Sequence, residues 1–272
     1  MIRAPSDNRG IVWLASYPKS GNTWLRVFLY HLVRIENGAP REPDEINKLD
    51  RVSMYEGRLA AMYSHFVGKP IEQATVEEVA QVRQMVQRAI VERLPRIALV
   101  KTHNAFANVA GQPQVNPSVT IGAVYMVRDP RDIALSLAHH LGVDVDEAIT
   151  VMEQPGFSTA NTRDGPFELW GTWSEHVASW TARPEESILT VRYEDLIADP
   201  LGRFADIAAH LRQAATIETI SAAADASTFT ELAAAEKLHR FKETSERADR
   251  FFREGRAGGW REQLFPDQVR RI

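Results

Sequence analysis

The chain contains no cysteine, which excludes disulfides, thiolate metal sites and a cysteine nucleophile. It also has no surplus of basic charge: 32 Lys and Arg against 36 Asp and Glu leave a net charge of -4. No general positive field exists to hold a nucleic acid or an anionic membrane, so neither partner is expected. Long apolar runs are missing too. The first, from Ile11, breaks at Tyr17-Pro18-Lys19, well short of a bilayer span, and the N-terminus has no signal-peptide pattern. A cytoplasmic location without membrane insertion is the expectation. What is present, 44% apolar and 25% charged residues in 272, is the composition of an ordinary globular core. At this length an α/β fold is often one unit, so a single domain over residues 1–272 is expected.

Four short apolar runs have the β-branched and aromatic content of buried parallel strands: Ile11 to Ser16, Ile97 to Val100, Thr120 to Val127 and Ile188 to Val191. Helical spacing lies between them, in Trp24 to Val33, in the stripe Val79, Val82, Val86, Ala89 and Ile90, and in Ile133 to Leu141. The alternation predicts a mostly parallel sheet covered on both faces. Pro200 to Leu211 reads as a further helix, and Thr228 with Glu231 as a capping box. Segments of about 37–75, 142–169 and 240–260 have weak periodicity and read as variable lid or acceptor loops.

Chemistry-bearing residues follow each strand. The first run leads into Tyr17-Pro18-Lys19-Ser20-Gly21-Asn22-Thr23-Trp24, the second into Lys101-Thr102-His103, the third into Arg128-Asp129-Pro130-Arg131-Asp132, and the fourth into Arg192-Tyr193-Glu194-Asp195. Parallel strands share a carboxyl edge where ligands bind, so Lys19, Lys101, His103, Arg128 and Tyr193 are expected to converge on an anion. In the first motif Gly21 permits a tight turn, the amides from Asn22 to Trp24 open a helix, and Lys19, Ser20 and Thr23 add charge and donors. The order differs from Walker A, which places its lysine after the second glycine. Arg128 and Ser136, eight residues apart, can reach one phosphate. Taken singly, the octapeptide also reads as a glycine turn with a solvated lysine, and Arg128 to Asp132 as a surface turn of mutual salt bridges.

Together the motifs resemble sulfotransferases that use 3′-phosphoadenosine 5′-phosphosulfate (PAPS), of the cytosolic type with relatives among bacterial natural-product enzymes. The resemblance runs from about Ile11 to Trp260. Residues 17–24 are similar to the family's 5′-phosphosulfate loop and Arg128 to Ser136 to its 3′-phosphate motif. Arg253-Glu254-Gly255 with Gly258-Gly259-Trp260 looks like its C-terminal nucleotide loop. The resemblance implies a P-loop-like, three-layer α/β/α fold with a mostly parallel central sheet, PAPS as donor and adenosine 3′,5′-bisphosphate (PAP) as product. It implies that Lys19, Ser20, Gly21, Asn22 and Thr23 hold the 5′-phosphosulfate and that Trp24 stacks on adenine. Arg128, Ser136 and Arg253 would bind the 3′-phosphate with backbone amides of Glu254 and Gly255, and Tyr193 and Phe229 would line the adenosine site. Lys101 and His103 would face the sulfonate and the acceptor.

The chemistry agrees. A neutral imidazole can take a proton from an acceptor hydroxyl near neutral pH, making His103 the candidate base. Lys19 and Lys101 would oppose charge that builds on the leaving phosphate. A sulfonate carries less charge than a terminal phosphoryl group, so two lysines can replace magnesium, and no metal is expected. Asn22 stands where many relatives have threonine, Asn104-Ala105 replaces a common Leu-Pro, and Glu254 replaces a common lysine, leaving only its backbone role. The remaining histidines read as packed or solvated. Trp170, Trp173, Val177 and Trp180 read as one helical face, and Lys237 to Arg256 as a solvated lid. Two other functions fit parts of the pattern: a P-loop kinase-like phosphotransferase, with Asp129 or Asp132 holding magnesium, and a non-catalytic nucleotide-binding module that would not need His103. The acceptor, a hydroxyl or amine on a small molecule, glycan or lipid, has no readable code, and the oligomeric state stays open.

Overall fold

A computed structural model describes residues 9–94, 97–182 and 185–272. Strand β1 (Ile11–Ser16) leads into α1 (Asn22–Glu36), followed by β2 (Met54–Tyr55), α2 (Ala60–Val67), α3 (Val76–Arg93) and β3 (Ala98–Thr102). A small antiparallel hairpin of β4 (Asn108–Val109) and β5 (Gln112–Pro113) precedes β6 (Thr120–Val127), α4 (Pro130–Leu141), α5 (Val145–Glu153) and α6 (Trp173–Thr181). Then come β7 (Ile188–Arg192), α7 (Tyr193–Ala198), α8 (Pro200–His210), α9 (Ile217–Ala226), α10 (Phe229–His239), α11 (Trp260–Gln263) and α12 (Pro266–Arg271).

Five strands form one mostly parallel sheet flanked by helices, in the order β2-β3-β1-β6-β7. Both β1 and β2 run parallel to β3, with Ile11 opposite Ala98 and Met54 opposite Val100. Every residue of β1 is buried, as expected of a central strand covered on both faces. The four strands carrying the motifs are consecutive in this order. β3 starts one residue after Ile97, which stays exposed, and continues through Lys101 and Thr102. Lys101 is therefore a strand residue.

The described residues form two compact units, each assembled from three segments. The first comprises the chain up to Tyr17, Ser53–Tyr125 and Glu153–Thr190; the second comprises Pro18–Val52, Met126–Met152 and Val191–Ile272. In the first, Ile11, Trp13, Leu14, Val100 and Val124 are wholly buried, and the Trp13 indole donates to Thr120 Oγ1 at 2.9 Å. In the second, Phe28 stacks on Phe204 with ring centres 3.9 Å apart, and Val27, Tyr30, Leu49, Leu232 and Phe241 form a core cluster.

Several local expectations change. Thr75 and Glu78 close a full capping box at α3, whereas at α10 Thr228 accepts from the Glu231 amide and the box is only half made. α6 begins at Trp173 behind a Thr172–Glu175 capping box, so Trp170 lies outside the helix predicted to carry it. Segment 37–75 contains four 3₁₀ turns besides β2 and α2, each too short for a periodic signature. Nor is Lys237 to Arg256 simply a solvated stretch: Phe241, Phe251 and Phe252 pack on one another, and the Glu236 carboxylate accepts from the Phe251 and Phe252 amides at 2.7 and 2.9 Å. A charge anchors it as well, since Glu243 pairs with the buried Arg26 at 2.7 Å. Among the described residues, no helix is long and apolar enough to cross a membrane.

Candidate active site

Most of the predicted nucleotide residues fall in the second unit, around the turn between β1 and α1. Gly21 has φ +96°, and a Cβ there would sit 2.6 Å from the Tyr193 ring. Both the left-handed backbone and the close approach require glycine. Lys19 also takes positive φ, 67°. α1 opens without a side-chain cap and without an acid in its first turn, an arrangement that suits an anion at its positive dipole end. Asn22 and Thr23 are buried on that turn.

Arg128 ties this loop to its surroundings. Its Nη1 donates to the Lys19 carbonyl at 3.2 Å, its Nη2 to the Arg256 carbonyl at 3.1 Å, and its guanidinium lies 4.3 Å from the Tyr193 ring centre. Tyr193, the first residue of α7, meets Trp24 edge-on at 5.7 Å. The Lys19 ammonium sits 4.2 Å from the Phe251 ring centre. Lys19, Gly21, Trp24, Arg128 and Tyr193 are thus brought together. Ser20 Oγ and Arg128 Nε are buried without a hydrogen-bond partner among the described residues, which is costly unless a ligand or water completes them.

The C-terminal loop is anchored in the same unit. Asp132 accepts from the Gly258 amide at 2.6 Å and the Trp260 amide at 3.0 Å. With both oxygens engaged and the side chain buried, Asp132 is not a surface charge. The salt-bridge reading holds for Asp129, which pairs with Arg131 at 2.6 Å. Gly255 has φ +62°, and a Cβ there would lie 2.2 Å from the Phe229 ring, so these two predicted residues meet. Arg253 lies 3.4 Å from Glu254. Burial pushes the Glu254 carboxyl up, but the hydrogen bond from Arg256 and the charge of Arg253 outweigh it and hold the group below its usual value. The acid that replaces a common lysine is thereby paired with two arginines. Ser136 is half-buried in the second turn of α4.

Lys101 and His103 belong to the first unit. His103 Nδ1 lies 2.9 Å from the Ser16 carbonyl and 3.2 Å from Ser16 Oγ. The carbonyl can only accept, so Nδ1 carries the proton and the basic lone pair resides on Nε2. Behind it, His176 Nε2 donates to the His103 carbonyl at 3.1 Å while His176 Nδ1 accepts from the Tyr125 hydroxyl at 2.9 Å. Burial lowers the His176 pKa to about 4, keeping the ring neutral in this arrangement. On either side, Thr102 Oγ1 and Asn104 Nδ2 both donate to Glu56 at 3.3 Å. Asn104 Oδ1 accepts from the Leu169 amide at 2.8 Å, and the Ala105 amide donates to the Leu169 carbonyl at 2.7 Å. Asn104 and Ala105 thus bind Leu169 through a side-chain oxygen and an amide, groups that Leu-Pro would lack.

Glu56, Arg83, Gln87, Glu168 and His176 are participants that sequence reasoning missed. Arg83 and Gln87 do carry a signal: they follow Val79 by one and two helical steps of four residues, on the buried face of α3. Glu168 stands in the aromatic run Phe167 to Trp170. His176 has no local signature. Among the described residues, no group of three or more His, Cys, Asp or Glu could hold a metal ion.

Residues 9–272 match the model of the sulfotransferase domain family, and the chain belongs to that family. It is 24% identical over 277 residues to flavonol 3-sulfotransferase of Flaveria bidentis, a match covering 96% of this chain and 78% of that protein. It is 26% identical over 200 residues to Sulfotransferase 4A1 of Homo sapiens, covering 72% of this chain and 56% of that protein. A crystal structure of retinol dehydratase with retinol and PAP superposes with a TM-score of 0.63 at 20% identity, covering 99% of this chain and 80% of the other. At that identity the likeness establishes the fold, a P-loop-like α/β architecture. By class, the chain is a PAPS-dependent sulfotransferase, and the kinase-like reading is set aside.

Proposed function

We propose that this enzyme moves the sulfonate of PAPS onto a hydroxyl or amine of a small-molecule, glycan or lipid acceptor by in-line displacement, with His103 as the base. The observation that carries this reading is the tautomer of His103: Nδ1 held at 2.9 Å from the Ser16 carbonyl leaves Nε2 as the atom that accepts a proton. Bound PAPS supplies an electrophilic sulfur and a good leaving group in the bisphosphate. Ser20, Gly21, Asn22 and Thr23 would hold its 5′-phosphosulfate, and Trp24, Tyr193 and Phe229 its adenosine. Arg128, Ser136, Arg253 and the amides of Glu254 and Gly255 would take its 3′-phosphate. The unpartnered Ser20 Oγ and Arg128 Nε support that fit. Lys19 and Lys101 would meet charge on the departing phosphate without reorganisation. The reading treats residues 1–272 as a single domain, because each compact unit draws on three separated segments, and it keeps the enzyme cytoplasmic, after the motifs' likeness to cytosolic-type enzymes.

Calorimetry with PAP, ADP and magnesium-ATP tests the donor site. A clear preference for PAP is expected, whereas preference for ATP would overturn the assignment. A second outcome concerns the C-terminal loop. Asp132→Ala removes the hydrogen bonds that two backbone amides donate to a buried carboxylate, and PAP affinity should fall on the order of 10-fold or more. Unchanged affinity would place the loop around Arg253 outside the nucleotide's reach.

A further inference from the structure

Lys101 and Tyr55 are cross-strand neighbours on β3 and β2, and the Lys101 ammonium lies over the Tyr55 ring, 3.9 Å from its centre. The Tyr55 hydroxyl donates to Glu168 Oε2 at 3.3 Å, an oxygen that also accepts from the Trp170 indole at 3.5 Å. Glu168 is buried. Burial raises its carboxyl above the usual value, and the charge of Lys101 and the Trp170 bond only partly offset that. The Tyr55 ring stands 6.0 Å from the His103 ring. A flexible ammonium, a π face and a carboxylate behind that face are therefore aligned at the end of the strand that leads into His103.

We propose that Tyr55, fixed through its hydroxyl by Glu168, is a positioning residue that determines where the Lys101 ammonium sits. Lysine has a long stem with many rotamers, so a cation that must meet a sulfonate without reorganising needs a support. An aromatic face in a desolvated setting provides one. Donation of the phenolic hydrogen to Glu168 enriches the ring in electron density and strengthens its hold on the cation. Because β2 is a two-residue strand at the sheet edge, the support is local and can be altered without removing a central strand. The inference rests on the proposed role of Lys101 toward the sulfonate.

That dependence suggests a test needing no acceptor. PAPS carries the sulfonate and PAP does not, so the ratio of their affinities, measured by calorimetry, reports on Lys101. Tyr55→Leu should weaken PAPS roughly 3- to 10-fold and PAP by less, because PAP keeps the phosphate that Lys101 also faces but lacks the sulfonate. Tyr55→Phe, which keeps the ring, and Glu168→Gln should each cost PAPS less than about 3-fold. In a Lys101→Met background, Tyr55→Leu should add nothing. Unaltered PAPS affinity in Tyr55→Leu, or the same loss persisting in the Lys101→Met background, would overturn the proposal, because the effect would then be one of packing. A parent protein that bound neither nucleotide would fail at the donor reading itself and take this inference with it.

Discussion

Replacing His103 by alanine is expected to lower sulfonate transfer from PAPS roughly 10²- to 10⁴-fold, the usual range for a positioned general base. Affinity for PAP should stay within about 2-fold, since the imidazole's hydrogen-bonding partner is Ser16 and neither residue is assigned to the nucleotide. Transfer is read as PAP formation from PAPS across a panel of hydroxyl acceptors. His103→Gln keeps a side chain able to donate to the Ser16 carbonyl but supplies no base, so it should be nearly as slow as alanine. His176 does not stand in as the base: burial lowers its pKa to about 4, and its two ring nitrogens are engaged by the Tyr125 hydroxyl and the His103 carbonyl. Unchanged turnover in His103→Ala would remove the proposed base. Intact PAP binding in an enzyme whose parent transfers nothing would instead favour a nucleotide-binding module.

Legibility of this protein in its sequence follows how local each feature is. The strands at Ile11–Ser16 and Thr120–Val127 fall where their apolar runs lie, because a parallel strand buried on both faces needs an unbroken run. The turn at Gly21 was readable for the same reason, since its requirement is written in one residue and its neighbours. Asp132 was readable only as a charge in a charged pentapeptide. Its partners, the Gly258 and Trp260 amides, lie more than a hundred residues away, and backbone amides leave no mark in the sequence. The surroundings of His103 are of the same kind. Glu56, Leu169 and His176 bond to His103 or its immediate neighbours from elsewhere in the chain, and only polar residues on the inner face of α3 hinted that the region was more than apolar packing.

Arg83→Leu should then destabilise the fold by about 3 to 5 kcal/mol, the cost of leaving one member of a buried ion pair alone. Arg83 and Glu56 are almost wholly inaccessible. Arg83 Nη1 stands 3.1 Å from Glu56 Oε1 without hydrogen-bond alignment, and its Nη2 donates to the Phe167 carbonyl at 2.6 Å. Glu56 also accepts from the Tyr63 hydroxyl and from Gln87, each at 2.8 Å, so neutral donors remain while the charge of Arg83 is lost. Adding Glu56→Gln to Arg83→Leu should recover part of the loss, because the stranded charge goes with the carboxylate. Urea unfolding of both variants measures this. A cost below about 1 kcal/mol in the single variant would mean that the pair does not hold the region together. If it does, the consequence reaches catalysis. The carboxylate that Arg83 balances is the one bonded to Thr102 and Asn104 on either side of His103. A small core disturbance on α3 should therefore slow transfer even in molecules that remain folded, through the placement of a base that Arg83 never touches.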